Sequence, residues 1–359
     1  MPLRFPNPGS DIPRMLRSFR LIHDAANTGG IESFDIDFTV EVMVSNFQAS
    51  SRGAVGNEAL ARSAELDRSR DPLYNQMKSY SEIYRMLGWF RPHHNSRSVF
   101  NISVLGDVAA QAIGLQSDFT FRLLRECLMA VTFPNPTTHN VGISNLRPFR
   151  WLLRLIVELG GVVTRDEIIL GLLSKSDDRG EPDLSPTAER IRRIRAAGRA
   201  SLTTELNNYA TASEIQLNTL RNYTRLPMAL LRSPDIGWGQ EERLANLYGR
   251  STPGIRLTAL GLHDANWLET AHDIRESDLE NYSLDERACF ANFSYYTMLA
   301  RAGVDPSHFA LEMKRAEVGC ASMLDELCGN AAELLLYSPV QQASDSILSR
   351  SLEIEQESA

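Results

Sequence analysis

Two seven-residue segments of this chain follow one pattern. Phe100-Asn101-Ile102-Ser103-Val104-Leu105-Gly106 and Ile255-Arg256-Leu257-Thr258-Ala259-Leu260-Gly261 both run apolar, polar, apolar, hydroxyl, small apolar, Leu, Gly. The alternation before the hydroxyl suits a strand with one face on a core. The hydroxyl can cap the next helix, and the glycine lets that helix approach a neighbour closely. Each copy specifies a strand that returns into a helix, and two copies specify two similar modules.

Helical periodicity dominates around these segments. Ahead of the first copy, residues 12–26 place Met15, Leu16, Phe19 and Ile22 on one helix face, and Asn27-Thr28-Gly29-Gly30 ends it. A second helix is expected from Thr39, as its cap, to Gln48. A polar stretch, 49–70, has helical character near 58–66, and Asp71-Pro72 opens a third helix over 73–87. Segments 89–92 and 98–102 flank a polar turn, 93–97, and predict a short hairpin, with helices at 106–113 and 118–132 after it.

The second copy is preceded by an amphipathic helix at 147–159, a Gly160-Gly161 stop and Val162-Val163. Thr164 then caps a helix over 165–173, with Asp166 and Glu167 in its first turn. A polar insertion at 174–185, helices at 186–202 and 213–231, and a longer hairpin between Arg232 and Arg256 complete it.

Helix, capped helix, spacer, helix, hairpin therefore occurs twice, which is the order of a winged helix-turn-helix. The expected fold is mainly α with short β-hairpins: tandem winged-helix modules at 1–134 and 143–262, the latter with an insertion at 174–212. An acidic helical region (263–337, with helices at 286–302 and 310–336) and a polar tail (338–359) would follow. An unrelated helical fold with two coincidental hairpins is the competing reading.

A net charge of −8 opposes binding to a polyanion, but the acidity is localised. From Asp264 onward 18 acidic residues face 6 basic ones; before it 27 acidic residues face 31 basic ones. Pro2, Pro6, Pro8 and Pro13 break any leader-like run and no segment approaches a membrane span, so a cytoplasmic protein with no membrane partner is expected. Cys127, Cys289, Cys320 and Cys328 form no zinc spacing and are expected as buried free thiols.

The basic residues suggest where a duplex would bind. RIRRIRAAGR, from Arg190 to Arg199, has five arginines and no acid, and helical spacing puts Arg192, Arg195 and Arg199 on one face, suited to phosphates or to ordinary ion pairs. The turn holding His94 and Arg97 offers further donors. Asn218, Arg221, Asn222 and Arg225, at i, i+3, i+4, i+7, are the candidates for base readout; Asn75, Lys78, Ser79 and Glu82 repeat that spacing in the first module. A solvated polar face is the alternative for each set.

Chemistry is not indicated. The nearest match to a metal-dependent nuclease motif, Asp305 with Glu312-Met313-Lys314, falls where a helix is expected and no sheet surrounds it. No cofactor is expected, Mg²⁺ entering only with a cleavage domain or partner.

The run Tyr80-Ser81-Glu82-Ile83-Tyr84-Arg85-Met86-Leu87-Gly88-Trp89, the hairpin into Gly106, Asn145-Leu146-Arg147-Pro148-Phe149-Arg150 and the start Thr164-Arg165-Asp166-Glu167-Ile168 resemble the recognition half of type IIS restriction and nicking endonucleases. The resemblance spans roughly Phe19 to Leu262. It implies site-specific binding of double-stranded DNA within a restriction-like or other defence assembly, with a nuclease subunit or a second copy as partner. The chain departs from that family after Leu262, where acidic helices stand in place of a cleavage domain. A winged-helix scaffold that contacts proteins and not DNA is the rival reading.

Overall fold

The computed structural model describes residues 2–6, 11–46, 50–51, 54–64, 71–93, 98–115, 118–133, 146–175, 184–274, 276–279 and 281–329. The described residues are mainly helical, with small antiparallel sheets, and fall into two compact units. No helix among them is long and apolar enough to cross a membrane.

The first unit begins with α1 (Ile12–Gly29), β1 (Phe34–Asp35) and α2 (Ile36–Ser45). A small hairpin, β2 (Ser50–Ser51) and β3 (Ala54–Val55), leads to α3 (Gly56–Ala64) and α4 (Pro72–Met86). Then come β4 (Phe90–Pro92), β5 (Val99–Ile102), α5 (Val104–Gly114) and α6 (Asp118–Ala130). Phe19, Tyr84, Trp89, Phe90 and Phe100 form its aromatic core, with Phe19 and Trp89 4.7 Å apart between ring centroids.

The second unit carries α7 (Pro148–Glu158), β6 (Val162–Val163) and α8 (Arg165–Ile168), which widens into a π-helical turn at Ile169–Leu173. That turn leaves the Gly171 carbonyl to accept the Trp151 indole N–H at 3.1 Å. α9 (Leu184–Ala197), α10 (Arg199–Ala212), α11 (Leu217–Tyr223) and α12 (Arg225–Arg232) follow. The unit closes with β7 (Gly239–Leu244), β8 (Thr252–Leu257) and α13 (Ala259–Thr270). Phe5 joins its core, 5.5 Å from Phe133 and 5.8 Å from Phe149.

The chain then rejoins the first unit as α14 (Leu284–Ala302), α15 (Ala310–Gly319) and α16 (Ala321–Cys328). Arg301 on α14 donates to both oxygens of Glu126 on α6, at 3.0 and 3.1 Å, and so ties these helices to that core.

The two units share one strand plan. The sheets have the orders β1-β5-β4 and β6-β8-β7. Phe34 pairs with Phe100 as Val163 pairs with Ile255, and the residues that follow, Asp35 and Thr164, are the N-caps of α2 and α8. Phe90 pairs with Ile102 as Gly239 pairs with Leu257. Ser103 accepts from the Gly106 N–H at 2.9 Å and donates to the Gly88 carbonyl; Thr258 accepts from the Gly261 N–H at 3.1 Å and donates to the Gly237 carbonyl.

Several boundaries differ from the sequence reading. Thr39 is not a cap: it is buried and donates to the Ile36 carbonyl, while the Asp35 side chain accepts from the Phe38 N–H. The expected helix over 186–202 breaks at Gly198, whose φ of 88° lies in the left-handed region. The one over 213–231 divides at Thr224 into α11 and α12, and Cys320 separates α15 from α16. Cys127, Cys320 and Cys328 are buried, whereas Cys289 is half-buried.

Candidate nucleic-acid interface

The N-terminal turn of α8 organises the second unit. Thr164 and Glu167 form a capping box, in which the Thr164 N–H donates to the Glu167 carboxylate at 2.7 Å. Glu167 is fully buried and also accepts from Arg195 at 2.7 and 3.0 Å and from the Tyr248 hydroxyl. Arg195 spends its other donors on the Leu159 and Val162 carbonyls, at 2.9 and 2.8 Å. This buried carboxylate therefore joins α8, α9 and the tip of the β7–β8 hairpin. Tyr248 and Asn246 hold left-handed φ of 57° and 55° at that tip, a conformation that costs free energy for residues other than glycine. Burial, and next the negative charge of Glu167, raises the Tyr248 phenol above its ordinary value.

Beside this network lies a group of guanidiniums. Arg165, the first residue of α8, donates through Nε to Thr224 Oγ1 at 2.9 Å and through Nη2 to the Arg221 carbonyl. Arg221 in turn donates to the Asp166 carboxylate at 3.2 and 3.4 Å, and Arg199 stands 4.0 Å from the same carboxylate. Arg225 opens α12 and Arg232 closes it, the latter paired with Glu241 at 2.7 Å. Burial, followed by the charges of Arg225 and Arg221, lowers the Arg165 pKa. Among the described residues five arginines here meet two carboxylates, a local excess of positive charge that favours an anion. Arg225 is exposed, as are Arg243 and Arg250 on the hairpin, and none of the three has an ion-pair partner among the described residues.

The arginine stripe expected on one helix does not exist. Arg192 and Arg195 lie on α9, whereas Arg199 lies beyond the Gly198 break. Arg192 reaches the Glu158 carbonyl and its carboxylate, the latter at 3.2 Å. Arg195 is an interior staple, 14% exposed and unavailable to a phosphate. Only Arg199 joins the cationic group. The base-readout set is likewise divided: Asn218, Arg221 and Asn222 are on α11 and Arg225 is on α12, with Asn218 exposed and Asn222 half-buried. His94 and Arg97 lie outside the described residues.

In the first unit the matching helix is closed off over its C-terminal half. Asn75 is exposed and Lys78 and Ser79 are half-buried, but Glu82 is buried, as is every residue from Tyr80 to Met86, where α4 packs against α2 and α3. Arg85 lies 5.0 Å above the Phe100 ring and donates to the Ser81 carbonyl. Glu312 and Lys314 stand on α15, where Lys314 pairs with Glu317 at 2.6 Å.

Sequence reasoning missed Arg165 and Arg232. Arg165 carried a signal: a cation in the first turn faces the positive end of the helix dipole, so it needs another reason to be there. Arg225 at the start of α12 is placed in the same way. No protein-family model matches the chain, and no curated protein matches it significantly.

Proposed function

We propose that both units are winged helix-turn-helix modules and that the second binds double-stranded DNA. The carrying observation is the group Arg165, Arg199, Arg221, Arg225 and Arg232, gathered where α8 meets α11 and α12 and opposed, among the described residues, by Asp166 and Glu241. In a winged helix this is the side on which the third helix meets a groove. The β7–β8 hairpin, with exposed Arg243 and Arg250, is then the wing. The role is that of a recognition subunit in a restriction-like or other DNA-defence assembly, with any cleavage belonging to a partner nuclease.

The burial of α4 favours a different use for the first unit. With every residue from Tyr80 to Met86 buried, α4 offers a groove little more than its N-terminal half around the exposed Asn75, and we assign that unit to contacts with protein, whether a nuclease subunit or a second copy.

The test is binding of a fluorescent random-sequence duplex to the full chain, followed by anisotropy. Four or five phosphate contacts predict affinity falling roughly 10²-fold between about 50 and 200 mM salt. No binding even at the lower salt overturns the proposal.

A further inference from the structure

Within the cationic group, Arg221 differs from its neighbours in being fixed at both ends. Its backbone carbonyl accepts from Arg165 Nη2, and its guanidinium donates from Nε and Nη2 to Oδ1 and Oδ2 of Asp166, at 3.2 and 3.4 Å. A guanidinium carries five donors in a rigid plane, and a carboxylate on the Nε edge leaves the Nη1 edge free for a second two-acceptor partner. The exposures are ordered to match. The Asp166 side chain is 13% exposed, whereas Arg221 is 34% and Arg199 40% exposed. The acid is the least exposed of the three, and the two cations keep a larger share of their side chains in contact with solvent.

We infer that Asp166 is a positioning residue. It holds the Arg221 guanidinium in one plane so that the outer edge meets a pair of ligand acceptors bidentately. This rests on the proposed binding of duplex DNA, and adds which arginine makes the principal contact and what holds it. The acceptor pair is either two phosphate oxygens or the O6 and N7 of a guanine, which offer the same geometry. Arg199, near the same carboxylate, is held more loosely and adds charge without a fixed direction.

The inference runs against simple electrostatics. Asp166 puts a negative charge beside a polyanion, so its removal by charge alone would tighten binding. If its role is to orient Arg221, removal weakens binding, because the freed side chain must be ordered by the ligand itself.

The experiment uses the full chain and a pool of duplexes with a randomised centre, with Asp166→Asn, Arg221→Ala and the double variant compared by anisotropy and by melting temperature. Asp166→Asn is expected to bind roughly tenfold more weakly despite its lost negative charge, Arg221→Ala to lose a similar amount, and the double variant no more than Arg221→Ala alone. Sequencing the bound duplexes separates the two acceptors. A base preference of the wild type that both single variants lose identifies a guanine edge; equal losses on all sequences, with a salt slope lower by about one, identify a phosphate. Tighter binding by Asp166→Asn, or losses that add in the double variant, overturns the inference and leaves the duplex-binding proposal standing. Absence of binding by the wild type at low salt overturns both.

Discussion

A methyl group on Gly261 would stand 2.1 Å from the carbonyl oxygen of Trp238. Gly106 has the same relation to Trp89, at 2.4 Å. In both units the helix after the hairpin crosses the backbone just before the hairpin, and the capping hydroxyls of Thr258 and Ser103 bond across the same junction. Backbone cannot shift as a flexible side chain does, so Gly261→Ala and Gly106→Ala are each expected to destabilise the chain by about 3 kcal/mol. Thr258→Ala, which removes a cap without a clash, is expected to cost about 1 kcal/mol. Urea denaturation of the three variants checks the order, and a Gly261→Ala variant as stable as wild type contradicts the close approach.

This junction also marks how far the sequence could be read. The seven-residue pattern identified the returning strand, its cap and the glycine. Its other half is equally written in the chain, as Gly88-Trp89 and Gly237-Trp238, with left-handed glycines at φ of 75° and 76° and fully buried indoles. The stripe of Arg192, Arg195 and Arg199 does not form for a physical reason: Gly198, at a left-handed φ, ends the helical spacing and turns the chain between Arg195 and Arg199. The site itself was mostly hidden, because Arg165 and Arg221 meet across 56 residues and no local period records such a contact.

Glu167 should matter more to stability than its position in a first turn suggests. It is the common acceptor of the Thr164 N–H, Arg195 and Tyr248, and it has no exposure to water. Glu167→Gln leaves the Arg195 charge without its counter-ion in the interior and is expected to cost about 3–5 kcal/mol. Arg195→Ala is expected to be similar, as thermal melting would show. Either variant melting within a degree or two of wild type would mean that the hairpin tip is held by something else.

A pH effect is expected from the first unit. The nearly buried His23 on α1 has Asp107 at 3.1 Å, Asp24 at 3.2 Å and the Asn27 amide at 3.1 Å. The hydrogen bond to Asp107 raises its pKa above 6.5, burial opposes this, and Asp24 adds to the rise. A histidine with a raised folded pKa stabilises the fold fully below its unfolded value and loses that contribution as pH rises through the folded one. Melting temperatures of wild type and Asp107→Asn should therefore differ most below the unfolded value of about 6.5 and converge as the pH rises above it. A gap that widens with pH would reverse the assignment.

If the second unit binds a duplex as proposed, its arginines separate into those that touch the ligand and those that hold the fold, and that separation can be measured. Arg225 is exposed at the head of α12 beside Arg165 and has no acidic partner among the described residues, so its truncation removes charge from the site and little from the core. Arg225→Ala is expected to weaken duplex binding on all sequences, lower the salt slope by about one and leave the melting temperature almost unchanged. Arg192 is occupied by the end of α7, through the Glu158 carbonyl and carboxylate, and stands apart from the cationic group. Arg192→Ala should leave the salt slope as it is. Equal effects of the two variants on binding would place the phosphates along α9, and the interface would then have to be redrawn around that helix.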